Sequence, residues 1–357
     1  MLKIHKKITI KIIYKVLIIA LLITCSTSVL ANESINVKLH EQCMNRNALS
    51  CVILGHKYES GDGVKINRKK SMELLARSTE IYTQACDEGY MDACYNLASS
   101  YRFGYGVKKD YLKFFELHKR ACENDIMVAC HDLGDMYENG KLVNKNLKKA
   151  ISLYTKSCDK KFAMSCSNLA NMYALGKGVI QDHLKAVELY TYSCYLNDLY
   201  ACFKLGTFYE FGKFVQKNDS KAVELYTKGC DNEDLIACTS LAIMYKDGKG
   251  TDQNIEKAIE LFTRACDDDL MRACVNLAFM YESGDAVEQN FEKAVELYTK
   301  ACDNDVMVSC YSLGNMYLFG DGVKKDSSKA KSLFKTSCDN NFKVACDEYQ
   351  VLVNEGK

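Results

Sequence analysis

The sequence predicts an all-α protein, an α/α superhelical solenoid of about eight disulfide-stapled helix-hairpin repeats of 36 residues. Three observations predict it. The chain of 357 residues is 48% hydrophobic and contains no proline, which suits uninterrupted helices. Its cysteines recur in pairs at a step of 36 residues, and a fixed step of this size indicates a repeat array rather than separate globular domains. Each repeat carries two apolar stripes with helical spacing.

Residues 1–31 are predicted to be a cleavable signal peptide. Five lysines and no acidic residue precede or flank the apolar run Val16–Thr24, and Val29 and Ala31 stand where a signal peptidase reads small residues. Two alternatives stay open. One is an uncleaved membrane anchor, although the run is shorter than the roughly 20 apolar residues of a span. The other is a lipoprotein attached through Cys25.

Cleavage after Ala31 changes the formal charge from +1 to −4, because it removes five lysines and no acidic residue. No basic stripe is left, so we expect no nucleic-acid partner. We also expect no membrane association after signal cleavage, and a secreted or periplasmic location.

Residues 32–357 are predicted to form a single solenoid. It begins with a longer first unit, residues 35–85, that serves as an N-terminal cap. Regular repeats follow over 86–337, and a capping helix covers 338–357. The interval from Cys43 to Cys86 is seven residues longer than the later intervals, and the surplus in Ser71–Tyr82 predicts a first long helix with two extra turns.

The first helix of each hairpin follows the second cysteine of a pair. Leu277, Ala278, Met280 and Tyr281 show the i, i+3, i+4 spacing of a helix. A glycine then recurs where a helix would end in the left-handed conformation. These glycines are Gly61, Gly104, Gly140, Gly176, Gly212, Gly248, Gly284 and Gly320. The tyrosines at the position of Tyr281 are interpreted as packing residues.

The second helix begins six residues after that glycine. Only Asn or Asp occupies the position, and these residues cap helix N-termini. They are Asn67, Asp110, Asn146, Asp182, Asn218, Asn254, Asn290 and Asp326. A second apolar stripe then continues to the next cysteine, so the repeat unit is an αα-hairpin.

Eighteen cysteines remain after cleavage, an even number, and they form nine pairs with seven residues between partners. On one straight helix such partners would be about 12 Å apart, too far for a disulfide, so the chain must turn between them. Each bridge would then join the second helix of one hairpin to the first helix of the next. Metal binding is the alternative, but this is not a zinc spacing, and no metal site is predicted. The pairs are Cys43–Cys51, Cys86–Cys94, Cys122–Cys130, Cys158–Cys166, Cys194–Cys202, Cys230–Cys238, Cys266–Cys274, Cys302–Cys310 and Cys338–Cys346.

Two recurring segments, A-C-x-x-L-A/G-x-M-Y-x-x-G-x-G-V and K-A-x-E-L-Y-T-K-A-C, resemble SEL-one-like repeats, relatives of the tetratricopeptide repeat. The fixed step and the cysteine pairs also resemble the Helicobacter cysteine-rich protein family. This resemblance spans about Ile35 to Glu348. It implies a secreted, disulfide-stapled, right-handed solenoid, and it implies penicillin binding with weak β-lactamase activity.

The residues themselves provide no catalytic motif. S-x-x-K occurs at Ser157, Ser328 and Ser332, about as often as chance predicts, and neither S-D-N nor K-T-G is present. We therefore expect no cofactor and no identifiable catalytic residue, and β-lactam hydrolysis is implied by the family resemblance alone.

A ligand would be specified where the repeats differ. On the first helix these positions lie one, two and five residues after the second cysteine. The first of them holds Tyr95, His131, Ser167, Phe203, Thr239, Val275 and Tyr311. At the other two, the candidate ligand-binding residues are Asn96, Ser99, Asn168, Asn171, Lys204, Asn276 and Asn315. In tetratricopeptide-like arrays this helix lines the concave face, where Asn can bond an extended peptide backbone.

Two functions are therefore open. The favoured one is binding of a protein or peptide, or of a peptidoglycan fragment or β-lactam, in a concave groove. The alternative is weak hydrolysis of penicillin or cephalosporin derivatives.

Overall fold

The structure, a computed structural model, describes residues 34–284 and 286–354. The predicted signal peptide and Cys25 lie outside the described residues. Within them the chain forms 18 helices and no strand. The predicted all-α class of stapled helical hairpins is confirmed.

The helices alternate between two kinds, which we call A and B. The B helices are α1 (34–44), α3 (Arg68–Asp87), α5 (Tyr111–Glu123), α7 (Leu147–Asp159), α9 (His183–Tyr195), α11 (Asp219–Asp231), α13 (Ile255–Asp267), α15 (Phe291–Asp303) and α17 (Ser327–Asp339). The A helices are α2 (Ala48–Ser60), α4 (Met91–Phe103), α6 (Met127–Asn139), α8 (Ala163–Leu175), α10 (Leu199–Phe211), α12 (Leu235–Asp247), α14 (Met271–Ser283), α16 (Met307–Phe319) and α18 (Lys343–Asn354).

The chain divides into two compact units, residues 1–165 and 166–357. The hairpins of the first unit are α2/α3, α4/α5 and α6/α7, and those of the second are α10/α11, α12/α13, α14/α15 and α16/α17. Helix α3 has 20 residues where α5 has 13, which confirms the two extra turns. The single solenoid over 32–357 stays a prediction.

Local capping determines where each helix begins and ends. The predicted glycines take positive φ values, from +63° at Gly212 to +87° at Gly320, so the eight A helices from α2 to α16 end in the left-handed conformation. The predicted Asn and Asp side chains accept a backbone N–H of the following turn, as Asn290 accepts from Lys293 at 2.9 Å. The backbone N–H of Asn290 also donates to the Tyr281 carbonyl at 2.8 Å, which closes the loop. Both cap predictions are confirmed.

The disulfides are local, as predicted, with Cα–Cα distances from 4.5 Å to 4.8 Å. Between the partners the chain turns through a residue with positive φ, such as Asp269 at +62°. Each bridge joins the end of a B helix to the first turn of the next A helix. Bridges with this geometry are Cys43–Cys51, Cys86–Cys94, Cys122–Cys130, Cys194–Cys202, Cys230–Cys238, Cys266–Cys274, Cys302–Cys310 and Cys338–Cys346. Cys158 and Cys166 are disulfide-bonded too.

The cores of hairpins α6/α7, α10/α11 and α12/α13 are each built around one B-helix ring. Tyr154, Tyr226 and Phe262 have no exposed surface, and each stands four residues before the first cysteine of a pair. The A-helix residue that faces this ring is small. At Gly206, for example, a Cβ would lie 2.6 Å from the Tyr226 ring, so a larger residue would not fit. Close helix packing therefore rests on a matched large and small residue.

Candidate functional site

Each A helix leaves one side uncovered. The positions two before, and two, five and nine after, the second cysteine follow i, i+4, i+7 and i+11 spacing, so they share one side of the helix. On α10 these are Tyr200, Lys204, Thr207 and Phe211, all half-buried or exposed, whereas Leu205 between them is 3% exposed. This side is available to a partner.

We call the uncovered side of the second unit the A-helix face. Neighbouring A helices contribute to it side by side, since the Tyr200 hydroxyl on α10 donates to Asn171 on α8 at 3.3 Å. The face consists of Asn168, Asn171, Leu175, Tyr200, Lys204, Thr207, Phe211, Ile236, Ser240, Ile243, Asp247, Arg272, Asn276, Phe279, Ser283, Val308, Ser312, Asn315 and Phe319.

Large apolar side chains are exposed along this face. Phe211 is 72% exposed, Phe319 67%, Phe279 57% and Ile236 48%. Single exposed apolar residues are ordinary, but several on aligned helices indicate an interaction surface. Amide and hydroxyl groups lie between them, so the face offers both apolar contact and hydrogen bonds.

Two of the predicted candidate residues lie together on the A-helix face. Asn171 on α8 accepts hydrogen bonds from the hydroxyls of Tyr190 and Tyr200. The Lys204 ammonium lies 5.3 Å from the centroid of the Tyr200 ring. Tyr200 therefore joins Asn171 and Lys204 in one cluster, and the sequence did not single it out.

The other five candidates lie outside the cluster of Asn171, Tyr200 and Lys204, although Asn168, Asn276 and Asn315 are on the A-helix face. Asn276 on α14 donates to the Arg272 carbonyl at 2.9 Å, and Asn96 on α4 donates to the Asp92 carbonyl at 2.9 Å. These two amide donors bond to the carbonyl one turn back on their own helix. The remaining three, Ser99 on α4, Asn168 on α8 and Asn315 on α16, are half-buried.

Two of the seven residues directly after a second cysteine are buried and are not available to a ligand, which corrects the prediction for those two. Thr239 is 2% and Ser167 3% exposed. The Tyr311 ring lies 5.6 Å from Phe334 and 5.5 Å from Phe342, centroid to centroid. Tyr311 thus packs against the B helix of its own hairpin and against the turn that follows that helix.

Buried tyrosines keep their hydroxyls protonated. In the first unit, burial and the neighbouring Asp132 carboxylate raise the pKa of Tyr95 to about 12, and its hydroxyl donates to Asp132 at 3.1 Å. In the second unit, burial raises the pKa of Tyr226 and of Tyr298 far above the ordinary value. Their hydroxyls donate to Glu210 at 2.7 Å and to Glu282 at 2.6 Å. These phenols act as hydrogen-bond donors at neutral pH.

A scan against family models matches the Sel1 repeat eight times, at residues 48–90, 92–126, 128–162, 163–198, 199–234, 235–270, 272–306 and 308–342. The chain belongs to the Sel1 repeat family. Sel1 and tetratricopeptide-like repeats generally mediate protein–protein interactions. No curated protein matches the chain.

Solved structures share this fold. The protective antigen c5321 of uropathogenic Escherichia coli is 24% identical, with 90% of this chain and 67% of that chain covered, at a TM-score of 0.69. A Sel1 repeat protein from Oxalobacter formigenes is 22% identical, covers 88% and 89% of the two chains, and has a TM-score of 0.61. Cysteine-rich protein B of Helicobacter pylori is 34% identical over 38% of this chain and 97% of that chain, at a TM-score of 0.30. The expected resemblance is confirmed.

In two of the three S-x-x-K matches of this Sel1 protein, the lysine is paired with a carboxylate. Ser157 has no exposed surface, and its hydroxyl donates to the Met127 carbonyl at 3.0 Å. Lys160 lies 3.4 Å from Asp125, and Lys335 is paired with Asp339 at 2.5 Å. An acyl-transfer Ser needs an adjacent base, and these lysines bind carboxylates instead.

The residues that the structure describes contain no group of three His, Cys, Asp or Glu side chains arranged to hold a metal ion. None of their helices is long and apolar enough to cross a membrane. The many disulfides point to an oxidising environment, extracellular or periplasmic.

Two repeated contacts escaped the sequence interpretation. Seven of the recurrent tyrosines carry a Lys ammonium over the ring, at 4.2 Å for Tyr317 and up to 5.1 Å for Tyr245. In addition, a Lys or Arg two residues before the first cysteine of a pair donates to a cysteine carbonyl of the preceding repeat, as Lys300 does to Cys266 at 2.5 Å. The recurrent Tyr and the Lys over its ring both repeat in the sequence at a constant spacing. This spacing was the signal from which the Lys–Tyr contact could have been predicted.

Proposed function

We propose that the A-helix face of the second unit binds an extended segment of a partner protein in an oxidising compartment. The observation that carries this proposal is the exposure of Phe211, Phe279 and Phe319 on aligned A helices. Aromatic side chains are frequent anchors of protein interfaces. The predicted signal peptide at residues 1–31 supports export to such a compartment.

The polar groups of the face suit an extended backbone. An Asn side chain offers a donor and an acceptor to a peptide group, as the edge of a strand would. Asn276 lies between Arg272 and Phe279 on α14, so an amide and an apolar side chain are available on the same helix. A peptide with apolar side chains can use both.

The test is binding to an immobilised library of dodecapeptides. We expect selected peptides to lose at least about tenfold in affinity when Phe211→Ser and Phe279→Ser are combined, since each removes an aromatic anchor. The matched control is Leu184→Ser, because Leu184 is 79% exposed on α9, outside the face.

A muropeptide and a penicillin join the panel as separate probes, because the family resemblance implies such ligands. Peptide binding that survives the double substitution would show that the face is not the binding surface. Binding of the muropeptide or the penicillin alone would replace the peptide by a cell-wall ligand.

A further inference from the structure

The Asn171 amide on α8 and the Lys204 ammonium on α10 offer hydrogen-bond donors next to two tyrosine hydroxyls. The hydroxyls of Tyr190 and Tyr200 both donate to the Asn171 Oδ1 atom, the second at 3.3 Å. With its oxygen used twice, the Asn171 amide can still donate two N–H groups. The two phenols therefore fix the amide with its Nδ2 atom turned away from them.

The Tyr190 hydroxyl keeps its role as a donor at neutral pH. Burial raises the pKa of Tyr190 well above its ordinary value. This phenol thus carries a proton and donates to the Asn171 oxygen.

A cation completes the group. The Lys204 side chain is half-buried and its ammonium lies 5.3 Å from the Tyr200 ring centroid. Among the described residues, no carboxylate lies within salt-bridge distance of it. Asp198, at the start of α10, already accepts hydrogen bonds from the backbone N–H groups of Tyr200 and Ala201, at 3.1 Å and 3.4 Å, and from the Ser193 hydroxyl at 2.9 Å.

We propose that the Asn171 amide and the Lys204 ammonium form a subsite for a carboxylate group of the bound peptide. A carboxylate accepts charge-assisted hydrogen bonds from both, and these are stronger than neutral ones. The inference rests on the proposed function, because the peptide would have to lie on the A-helix face. Lys204 is the only lysine two residues after a second cysteine, so this subsite would set the register of the peptide.

The carboxylate can come from a peptide C-terminus or from an acidic side chain. Three probes separate these sources. The first is the hexapeptide acetyl-Ala-Phe-Ala-Val-Ala-Leu with a free C-terminal carboxylate, the second is its C-terminal amide, and the third is the amide with Asp in place of Val. Each is titrated into the oxidised full chain, with the Asn side-chain amide and Lys signals followed by nuclear magnetic resonance.

We expect at least one carboxylate-bearing probe to shift the Asn171 and Lys204 signals and to bind five times more tightly than the neutral amide. Lys204→Gln should abolish this preference, so that the three probes bind with equal affinity. The control is Asn315→Ala. Asn315 has the same position on α16 as Asn171 has on α8, and its substitution should preserve the preference for a carboxylate.

Equal binding of all three probes to the wild-type chain would overturn the carboxylate subsite and leave the peptide-binding face intact. Loss of the preference in Asn315→Ala as well would place the carboxylate elsewhere. Failure of every probe and every library peptide to bind would overturn the proposed function itself.

Discussion

Single residues with positive φ determine how closely the loops approach the preceding B helices. Gly250 lies in the loop between α12 and α13 with φ +68°. A Cβ there would lie 2.2 Å from the Asp219 carbonyl carbon. Glycine is thus needed twice, once for the backbone conformation and once for the space.

We predict that Gly250→Ala destabilises the protein by about 2 kcal/mol or more, because the left-handed conformation costs a side chain about 1 to 2 kcal/mol and the clash with Asp219 adds to it. The measurement is urea denaturation of the oxidised chain followed by circular dichroism.

The next repeat supplies the matched control. Ala286 stands at the same loop position with φ +68°, so Ala286→Gly should raise the free energy of unfolding by up to about 1 kcal/mol. A destabilised Ala286→Gly, or an unchanged Gly250→Ala, would show that this loop position does not control the packing.

At the scale of the helix, the sequence predicts what is local. Gly248 and the Asn254 side chain act on backbone groups within four residues of themselves, so their roles can be inferred from the sequence of one repeat. The same holds for the cysteine pairs, whose turn is dictated by an eight-residue separation. Cap positions and disulfides were therefore predicted correctly in every described repeat.

Contacts between successive B helices were not predictable in this way. Lys300 on α15 donates to the carbonyl of Cys266 on α13, 34 residues earlier, and its ammonium lies 3.1 Å from Asp269. Equivalent donors are Arg120, Lys156, Lys228 and Arg264. The acceptor is a backbone oxygen, which no side-chain pattern in the sequence can indicate. The donor is Lys in some repeats and Arg in others.

We predict that Lys300→Met lowers the free energy of unfolding by about 1 kcal/mol, because the ammonium satisfies a C-terminal carbonyl of α13 and favours the negative end of its dipole. The loss should shrink as salt concentration rises. Urea denaturation at low and high salt measures both effects.

Helix α17 allows the reverse experiment. Thr336 stands where Lys300 stands on α15, and Asp305 has the place of Asp269. Thr336→Lys should therefore stabilise the chain by about 1 kcal/mol through the Cys302 carbonyl. If neither substitution changes the unfolding midpoint, the Lys–carbonyl contact contributes nothing to stability.

At the scale of the molecule, the architecture was predictable and the binding face only in part. The 36-residue period and the helix caps determine the hairpins. The variable positions at which Asn171 and Lys204 stand then indicate which side of each A helix is exposed. The role of Tyr200 did not follow, because it depends on which helices lie side by side. Ser167 and Thr239, each directly after a second cysteine, were misassigned because a buried packing position can also vary from repeat to repeat.

Within each unit the hairpins contact their neighbours in the chain, so stability should be local. We predict that replacing both Cys266 and Cys274 with Ala costs about 2.5 kcal/mol on the chain-entropy model of a nine-residue loop. Protection from hydrogen exchange should fall in α13 and α14, which this bridge joins, and persist in α10 and α17.

The same double substitution at Cys194 and Cys202 is the matched control, because that bridge lies two repeats earlier. Exchange should then increase in α9 and α10 and remain slow in α13 and α14, so that the unprotected region moves by 72 residues. Equal loss of protection across α9–α17 in both variants would mean that the second unit unfolds as one cooperative body. The bridges would then stabilise the whole unit rather than each junction separately.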